Sequence, residues 1–167
     1  MPGDSRDPLE VSSYRSLSML NIDYKILSKA LANRLLPLLG SLVHPDQWGF
    51  IPRRSTSKNI RRLCNLMGTV SDRGNLPIAV SLDFEKVFDT LGWPYLMAVL
   101  KAQGVGSEFL KWISLLYGEL WARMKMGQQI SRWFRIYRGT RHGCSLSPVF
   151  FALAMEPLAD MLRSRGP

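Results

Sequence analysis

An α+β fold, with helices packed on a small antiparallel sheet, is what this sequence predicts, and three observations predict it. Apolar residues recur at helical spacing in several segments of the chain. Residues 77–83 carry a short apolar run, IAVSL, that reads as a buried strand. Residues 122–137 then switch to a two-residue rhythm around Gly127, the pattern of a hairpin. Helices and strands alternate irregularly, which favours α+β over a regular βαβ succession. With 167 residues the chain fits one domain or most of one, and a 46% hydrophobic content provides a sizeable core.

Taken in order, residues 1–13 are polar, contain Pro and Gly, and read as poorly ordered. From Asp23, the residues Ile26, Leu27, Ala30, Leu31, Leu35 and Leu38 predict a helix, with Lys25, Lys29 and Arg34 elsewhere on its surface. Asn21 or Asp23 can cap it, and Pro37 with Gly40 should loosen its end. Segment 44–57 is rich in turn formers and leads into a helix from about Ser57, with Ile60, Leu63 and Leu66 on one side and Arg61 and Arg62 on the other. Trp93-Pro94 opens a helix over 94–102 that stops at Gly104. Ser107 caps another, whose apolar face is Phe109, Leu110, Ile113, Leu116 and Tyr117. Ser147, as a capping hydroxyl, followed by Pro148 starts a helix running to about Arg163, bent at Pro157. No internal repeat or low-complexity tract is present.

Charge narrows the function classes. Lys and Arg total 22 against 13 acids, a net charge of +9, which favours a polyanionic partner. Between Asp46 and Asp72 lie Arg53, Arg54, Lys58, Arg61 and Arg62 and no acid. Between Glu119 and Glu156 lie Arg123, Lys125, Arg132, Arg135, Arg138 and Arg141, again without one. Two such windows flanking an acid-bearing strand fit the walls of a nucleic-acid channel better than two solvated faces. Cys64 and Cys144 are too few for a disulfide framework or a zinc site, and imply a reducing compartment, nucleus or cytoplasm. No apolar run approaches the roughly 20 residues that span a bilayer, so no membrane role is expected.

Two segments carry the chemistry. In SLDFEKVFDTL, Asp83 stands at the end of the apolar run, where a carboxylate is poorly placed for packing and well placed to hold a divalent metal against a phosphate. A turn-capping aspartate is the plainer alternative there. In RGTRHGCSLSP, Gly139 and Gly143 allow close backbone approach, Arg138 and Arg141 supply charge, and the loop delivers into a helix N-terminus.

Together these blocks resemble a reverse transcriptase of the non-LTR retrotransposon, long interspersed element, type. YRSLSMLNIDYKILSKALANRL (14–35) and HPDQWGFIPRRSTSKNIRR (44–62) resemble the family's two fingers motifs. AVSLDFEKVFDTLGWPYL (79–96) resembles the strand bearing the first catalytic aspartate, and RGTRHGCSLSPVFFALAMEPLA (138–159) the loop and helix that grip template and nucleotide. The resemblance implies fingers over 14–76 and part of a palm over 77–167. It implies RNA template, DNA primer and deoxynucleoside triphosphates as partners, and two Mg²⁺ ions as cofactors. Asp83 would be the catalytic, metal-binding carboxylate, with the carbonyl of Phe84 completing part of a metal shell. Phe88 sits where the family has the steric gate against a ribose 2′-hydroxyl, although a core phenylalanine would look the same. Arg15 and Lys25 match positions that reach the triphosphate, and His142 and Gly143 lie beside the templating pair. Arg53, Arg54, Arg61, Arg62, Arg138 and Arg141 would line the nucleic-acid path, and Asp89 would be structural.

Departures from the family pattern accompany this. His142 stands where Gln is usual, Ser145 and Ser16 where Pro is, and Arg53 and Lys58 where a Gly and an Asp are expected. The family's second carboxylate site, Tyr-any-Asp-Asp, has no counterpart before Pro167, and no two acids are adjacent anywhere. A lone carboxylate cannot hold two Mg²⁺ ions against their hydration. The chain alone is therefore expected to be an inactive part of a larger enzyme, its strand at 77–83 exposing apolar area. Two alternatives stay open: a non-catalytic nucleic-acid-binding remnant, and a helical protein–protein module unrelated to polymerases.

Overall fold

The chain, a computed structural model, is described over residues 17–72, 78–84 and 86–164. In order it forms α1 (Ile22–Leu42), α2 (Thr56–Asp72), the single turn α3 (Val87–Thr90), α4 (Trp93–Ala102) and α5 (Ser107–Tyr117). The strands β1 (Leu120–Ala122), β2 (Lys125–Met126), β3 (Gln129–Ile130) and β4 (Phe134–Ile136) follow, then α6 (Ser147–Ser164). The molecule is helix-rich with a small antiparallel sheet, and the apolar centre is helix on helix rather than helix on sheet: α6 packs on α1, α3 and α4, and α4 on α5. Among the described residues no helix is long and apolar enough to cross a membrane.

The buried stripe of α1 is Ser28, Leu31, Ala32, Leu35 and Leu39, spaced three and four residues apart. It is rotated from the stripe the sequence suggests, since Ile26 and Leu38 face solvent. Asn21 is the N-cap by position but makes no side-chain bond, and Asp23 sits in the first turn, where a negative charge suits the dipole. Helix α1 continues past Pro37 and Gly40 to Leu42, rather than loosening there. Its C-terminal carbonyls find partners, because Val43 N–H donates to the Leu39 carbonyl at 3.2 Å and Arg54 Nη2 to the Gly40 carbonyl at 3.0 Å.

Helix α5 buries Ile113, Leu116 and Tyr117 as its pattern predicts. Its N-cap is Gly106, so Ser107 is the first helical residue and not the cap. Ser147 departs similarly. It is the first residue of α6, and its hydroxyl donates to the Arg141 carbonyl at 3.1 Å, closing the preceding loop instead of capping the helix. Pro157 lies inside α6 and has no N–H for the Leu153 carbonyl. Side chains take up the carbonyls around it: Gln103 Nε2 reaches Leu153 O at 3.5 Å, Tyr95 Oη reaches Ala154 O at 2.7 Å, and Gln47 Nε2 reaches Ala152 O at 2.8 Å.

The hairpin holds. β2 pairs with β3 across Gly127, whose φ of +60° is the conformation that type II′ turns reserve for glycine at their first central position. β1 pairs with β4, Leu120 opposite Ile136 and Trp121 opposite Arg135. The two pairs are separated by an uneven step of residues 123–124 against 131–133, a bulge-like offset bridged by Ser131 N–H to the Met124 carbonyl at 2.9 Å.

The strand expected at 77–83 is not formed. Residue 77 lies outside the described residues, 78–84 are irregular, and Ile78 and Val80 are 90% and 78% exposed. A strand needs a neighbour for its N–H and C=O groups, and this segment has no ladder partner among the described residues. The apolar exposure anticipated there is present; the extended pairing is not.

Helix α2 starts one residue before the expected Ser57, at Thr56. Its apolar residues Ile60, Leu63 and Leu66 form the expected side but all face solvent. The loop before it is fixed by ion pairing. Arg62 Nη1 hydrogen-bonds to Asp46 Oδ1, which holds the Asp46 carboxyl below the usual carboxylate range. Because the folded-state value is depressed, this stabilisation is present above the unfolded carboxylate pKa of about 3.9 and is lost as pH falls below it. Both groups are more than a third exposed, so solvent screening keeps the contribution within about 1 kcal/mol. Thermal unfolding of Asp46→Asn should therefore show a small destabilisation at pH 7 that shrinks towards zero as the pH falls through the depressed folded-state value. A deficit that persists undiminished in acid would contradict the assignment to this ion pair.

Candidate nucleotide and nucleic-acid site

Two sequence-distant segments are locked together at the centre of the candidate site. Gly92 and Arg138 form an antiparallel bridge, Gly139 N–H donates to the Leu91 carbonyl at 2.7 Å, and Trp93 Nε1 donates to the Gly139 carbonyl at 2.9 Å. Thr140 donates from both its N–H and its hydroxyl to the Phe88 carbonyl. Gly139 has φ +89°, and a Cβ built on it would lie 2.7 Å from the Asp89 carbonyl oxygen. Only glycine satisfies both demands. The segment carrying Phe88 and Asp89 is thus pinned to the loop carrying Arg138, Arg141, His142 and Gly143.

Phe88 is half-buried in a ring cluster, its centroid 6.2 Å from Phe50 and 5.5 Å from Phe151. Phe50 and Phe151 are themselves 6.0 Å apart, edge to face. Neither neighbour was legible as part of the site, since an aromatic residue in sequence carries no record of a partner 38 or 63 positions away. Asp89 lies on the surface with its Oδ1 3.6 Å from His142 Nε2, a contact that joins the same two segments.

Lys25 and Gly143 come together. Both line an open groove of about 560 Å³ with Ile26, Lys29, Ala30, Asn33 and Ser145. Arg141 lies over the ring of Tyr24, its guanidinium carbon 4.6 Å from the centroid, a cation–π contact that fixes the arginine beside that groove. Beneath it, the Tyr24 hydroxyl and the buried Tyr117 hydroxyl meet Cys144 Sγ at 3.5 and 3.8 Å. Burial, then the neighbouring thiol, push both phenols well above the ordinary tyrosine range, so they stay neutral.

The basic residues divide by use. Arg54 spends its guanidinium on the protein, donating to the His44 and Gln47 carbonyls at 2.7 Å as well as to Gly40. Arg62 pairs with Asp46 and still lines a groove of about 380 Å³ with Lys58, Arg61, Asn65, Leu66 and Thr69. Arg53, in a left-handed conformation with φ +65°, and Arg138 are exposed. Arg15 lies outside the described residues.

Asp83 and Phe84 are exposed at the end of the irregular segment. Among the described residues no three His, Cys, Asp or Glu side chains gather as a metal site. One carboxylate with a backbone carbonyl does not by itself fit a pair of Mg²⁺ ions, whose hard-oxygen shells need several anionic ligands. The described residues therefore do not by themselves make up a two-ion centre.

Comparison with known proteins gives the same direction. The chain is 32% identical over 155 residues to the transposon TX1 uncharacterized 149 kDa protein of Xenopus laevis, covering 93% of this chain and 12% of that protein. Over another 155 residues it is 26% identical to the retrovirus-related Pol polyprotein from type-1 retrotransposable element R2 of Nasonia vitripennis, covering 92% of this chain and 15% of that protein. A Pol polyprotein of the same description from Popillia japonica is 27% identical over 164 residues, 97% of this chain and 22% of its own length. The chain thus spans between about an eighth and a quarter of these relatives, and they bear out the resemblance to non-LTR elements. The family profile described as reverse transcriptase (RNA-dependent DNA polymerase) matches residues 4–166, so the chain belongs to the reverse transcriptase family.

Proposed function

We propose that this chain is the fingers (14–76) and part of the palm (77–167) of a retrotransposon reverse transcriptase. In this reading the deoxynucleoside triphosphate enters the Lys25–Gly143 groove beside an RNA template and a DNA primer. The observation that carries it is the meeting of Lys25, from α1, with Gly143, from the loop pinned to the Phe88–Asp89 segment. Lys25, with Arg15 and Lys29, would meet the triphosphate; Phe88, held by Phe50 and Phe151, would stand against the sugar; His142 and Gly143 would flank the templating base. Arg53, Arg61, Arg62, Arg138 and Arg141 would face phosphates, and Arg54 would hold the loop that presents them. Template-directed extension uses divalent metal in this family. Asp83 and the Phe84 carbonyl would supply part of that site, and a second carboxylate site would have to join them. The chain alone is accordingly proposed to bind nucleotide and polynucleotide without extending a primer, in the nucleus or cytoplasm.

Two measurements test this. Binding of a deoxynucleoside triphosphate to the chain on a primed RNA template should weaken roughly tenfold in Lys25→Ala, the scale of one charge-assisted hydrogen bond. A wild-type chain that binds neither nucleotide nor template sinks the reading. Primer extension with Mg²⁺ should be absent, and extension that disappears in Asp83→Ala would show that the chain is catalytically complete.

A further inference from the structure

The hairpin carries a second surface that the reverse transcriptase site does not use. Side chains alternate across a strand, and β1 and β4 turn Leu120 and Ile136 towards the apolar centre. Their other face therefore presents Trp121 and Arg135, with Arg123, Trp133 and Tyr137 just beyond the strand ends, and all five are exposed. Trp121 and Arg135 are direct cross-strand partners. Arg123 lies over the Trp133 ring at 5.0 Å, and Arg135 lies over the Tyr137 ring at 5.3 Å. Rings and guanidinium planes thus interleave on one face, with Trp133 61% and Tyr137 69% exposed to water.

Each of the three rings leaves more than half of its surface open to water, and their chemistry admits a base or an apolar partner. Charge decides between them. Six cations and no acid lie between Glu119 and Glu156, so a negatively charged backbone is met without repulsion across the whole hairpin. Flat rings for bases, with cations between them for phosphates, is the construction of sequence-tolerant single-strand platforms. A duplex hides its base faces and could use only the cations.

We propose that the outer face of β1 and β4 binds single-stranded polynucleotide, stacking unpaired bases on Trp121, Trp133 and Tyr137 while Arg123 and Arg135 meet the phosphates. This surface shares no residue with the Lys25–Gly143 groove and does not depend on nucleotide entering it. The test is fluorescence polarisation of the full chain with labelled 12-mers of oligo(U) and oligo(dT), which separate RNA from DNA as the preferred strand. The double variant Trp121→Ala/Trp133→Ala should weaken binding of at least one oligomer by roughly tenfold or more. Arg123→Gln and Arg135→Gln should each flatten the dependence of log Kd on log salt by about 0.7. Lys25→Ala should leave both effects in place, which separates this surface from the nucleotide groove. Unchanged affinity of a folded tryptophan variant for both oligomers overturns the proposal. Should that variant fail to fold, an unaltered salt slope in the arginine variants overturns it equally.

Discussion

Phe150→Ala should lower the unfolding free energy by about 3–5 kcal/mol, the usual range for removing a buried aromatic ring. Phe150 is fully buried on α6, and its ring centroid is 5.9 Å from that of Tyr117, which in turn stands 5.8 Å from Trp93. Removing the ring leaves a void where α6, α5 and the start of α4 meet, and neighbours as tightly placed as Leu100, Leu146 and Leu153 can collapse into it only partly. Urea unfolding followed by circular dichroism should show the loss as a lower midpoint at unchanged slope. Leu115→Ala, on the solvent side of α5, is the control and should change stability by no more than about 0.5 kcal/mol. Comparable losses in the two variants would mean that the apolar centre is not where it is described.

Gly139→Ala should cost about 2–4 kcal/mol through two separate effects. Any Cβ at φ +89° strains the backbone, and this one would stand 2.7 Å from the Asp89 carbonyl oxygen and 3.0 Å from the Asp89 carbonyl carbon, atoms that cannot rotate away. The bridge between 88–92 and 138–140 must open to accept it. Nucleotide binding should therefore fall along with stability, because the Phe88 segment is held to the Gly143 loop by these same bonds. Gly68→Ala inside α2 makes the comparison: a Cβ there meets nothing within 4 Å, and alanine should add about 0.5–1 kcal/mol of helix stability. A Gly139→Ala chain as stable as wild type would mean that the two segments are not in contact.

Much of the fold could be read from local pattern. The helices α4, α5 and α6 and the Gly127 hairpin follow from apolar spacing, Pro and Gly placement, and period-two alternation. Failures share one cause, dependence on a distant partner. IAVSL has the composition of a buried strand, but no adjacent strand among the described residues completes it. Ile26 and Leu38 fit a helical period, yet which stripe of α1 turns inward is set by α6, more than a hundred residues later. The site behaves alike. Glycines 139 and 143 and the basic windows could be picked out, whereas the engagement of Arg54 by three carbonyls, of Arg141 by Tyr24 and of Phe88 by Phe50 and Phe151 could not. Each depends on contacts that a linear pattern does not encode.

The place of α6 in the chain has a bearing on how the molecule is made. Of the described helices it is the last to leave the ribosome, yet α1, α3 and α4 all dock on it, and its carbonyls and Glu156 take up Gln47, Tyr95, Gln103 and the His44 amide. Earlier helices must therefore wait with their inward stripes wet until residues near 150 emerge, and closing loops of this length is slow. Synthesis of this chain thus has a vulnerable interval, when nascent polypeptides on neighbouring ribosomes can associate through the same surfaces, and a holding chaperone would raise its yield more than a stronger promoter would.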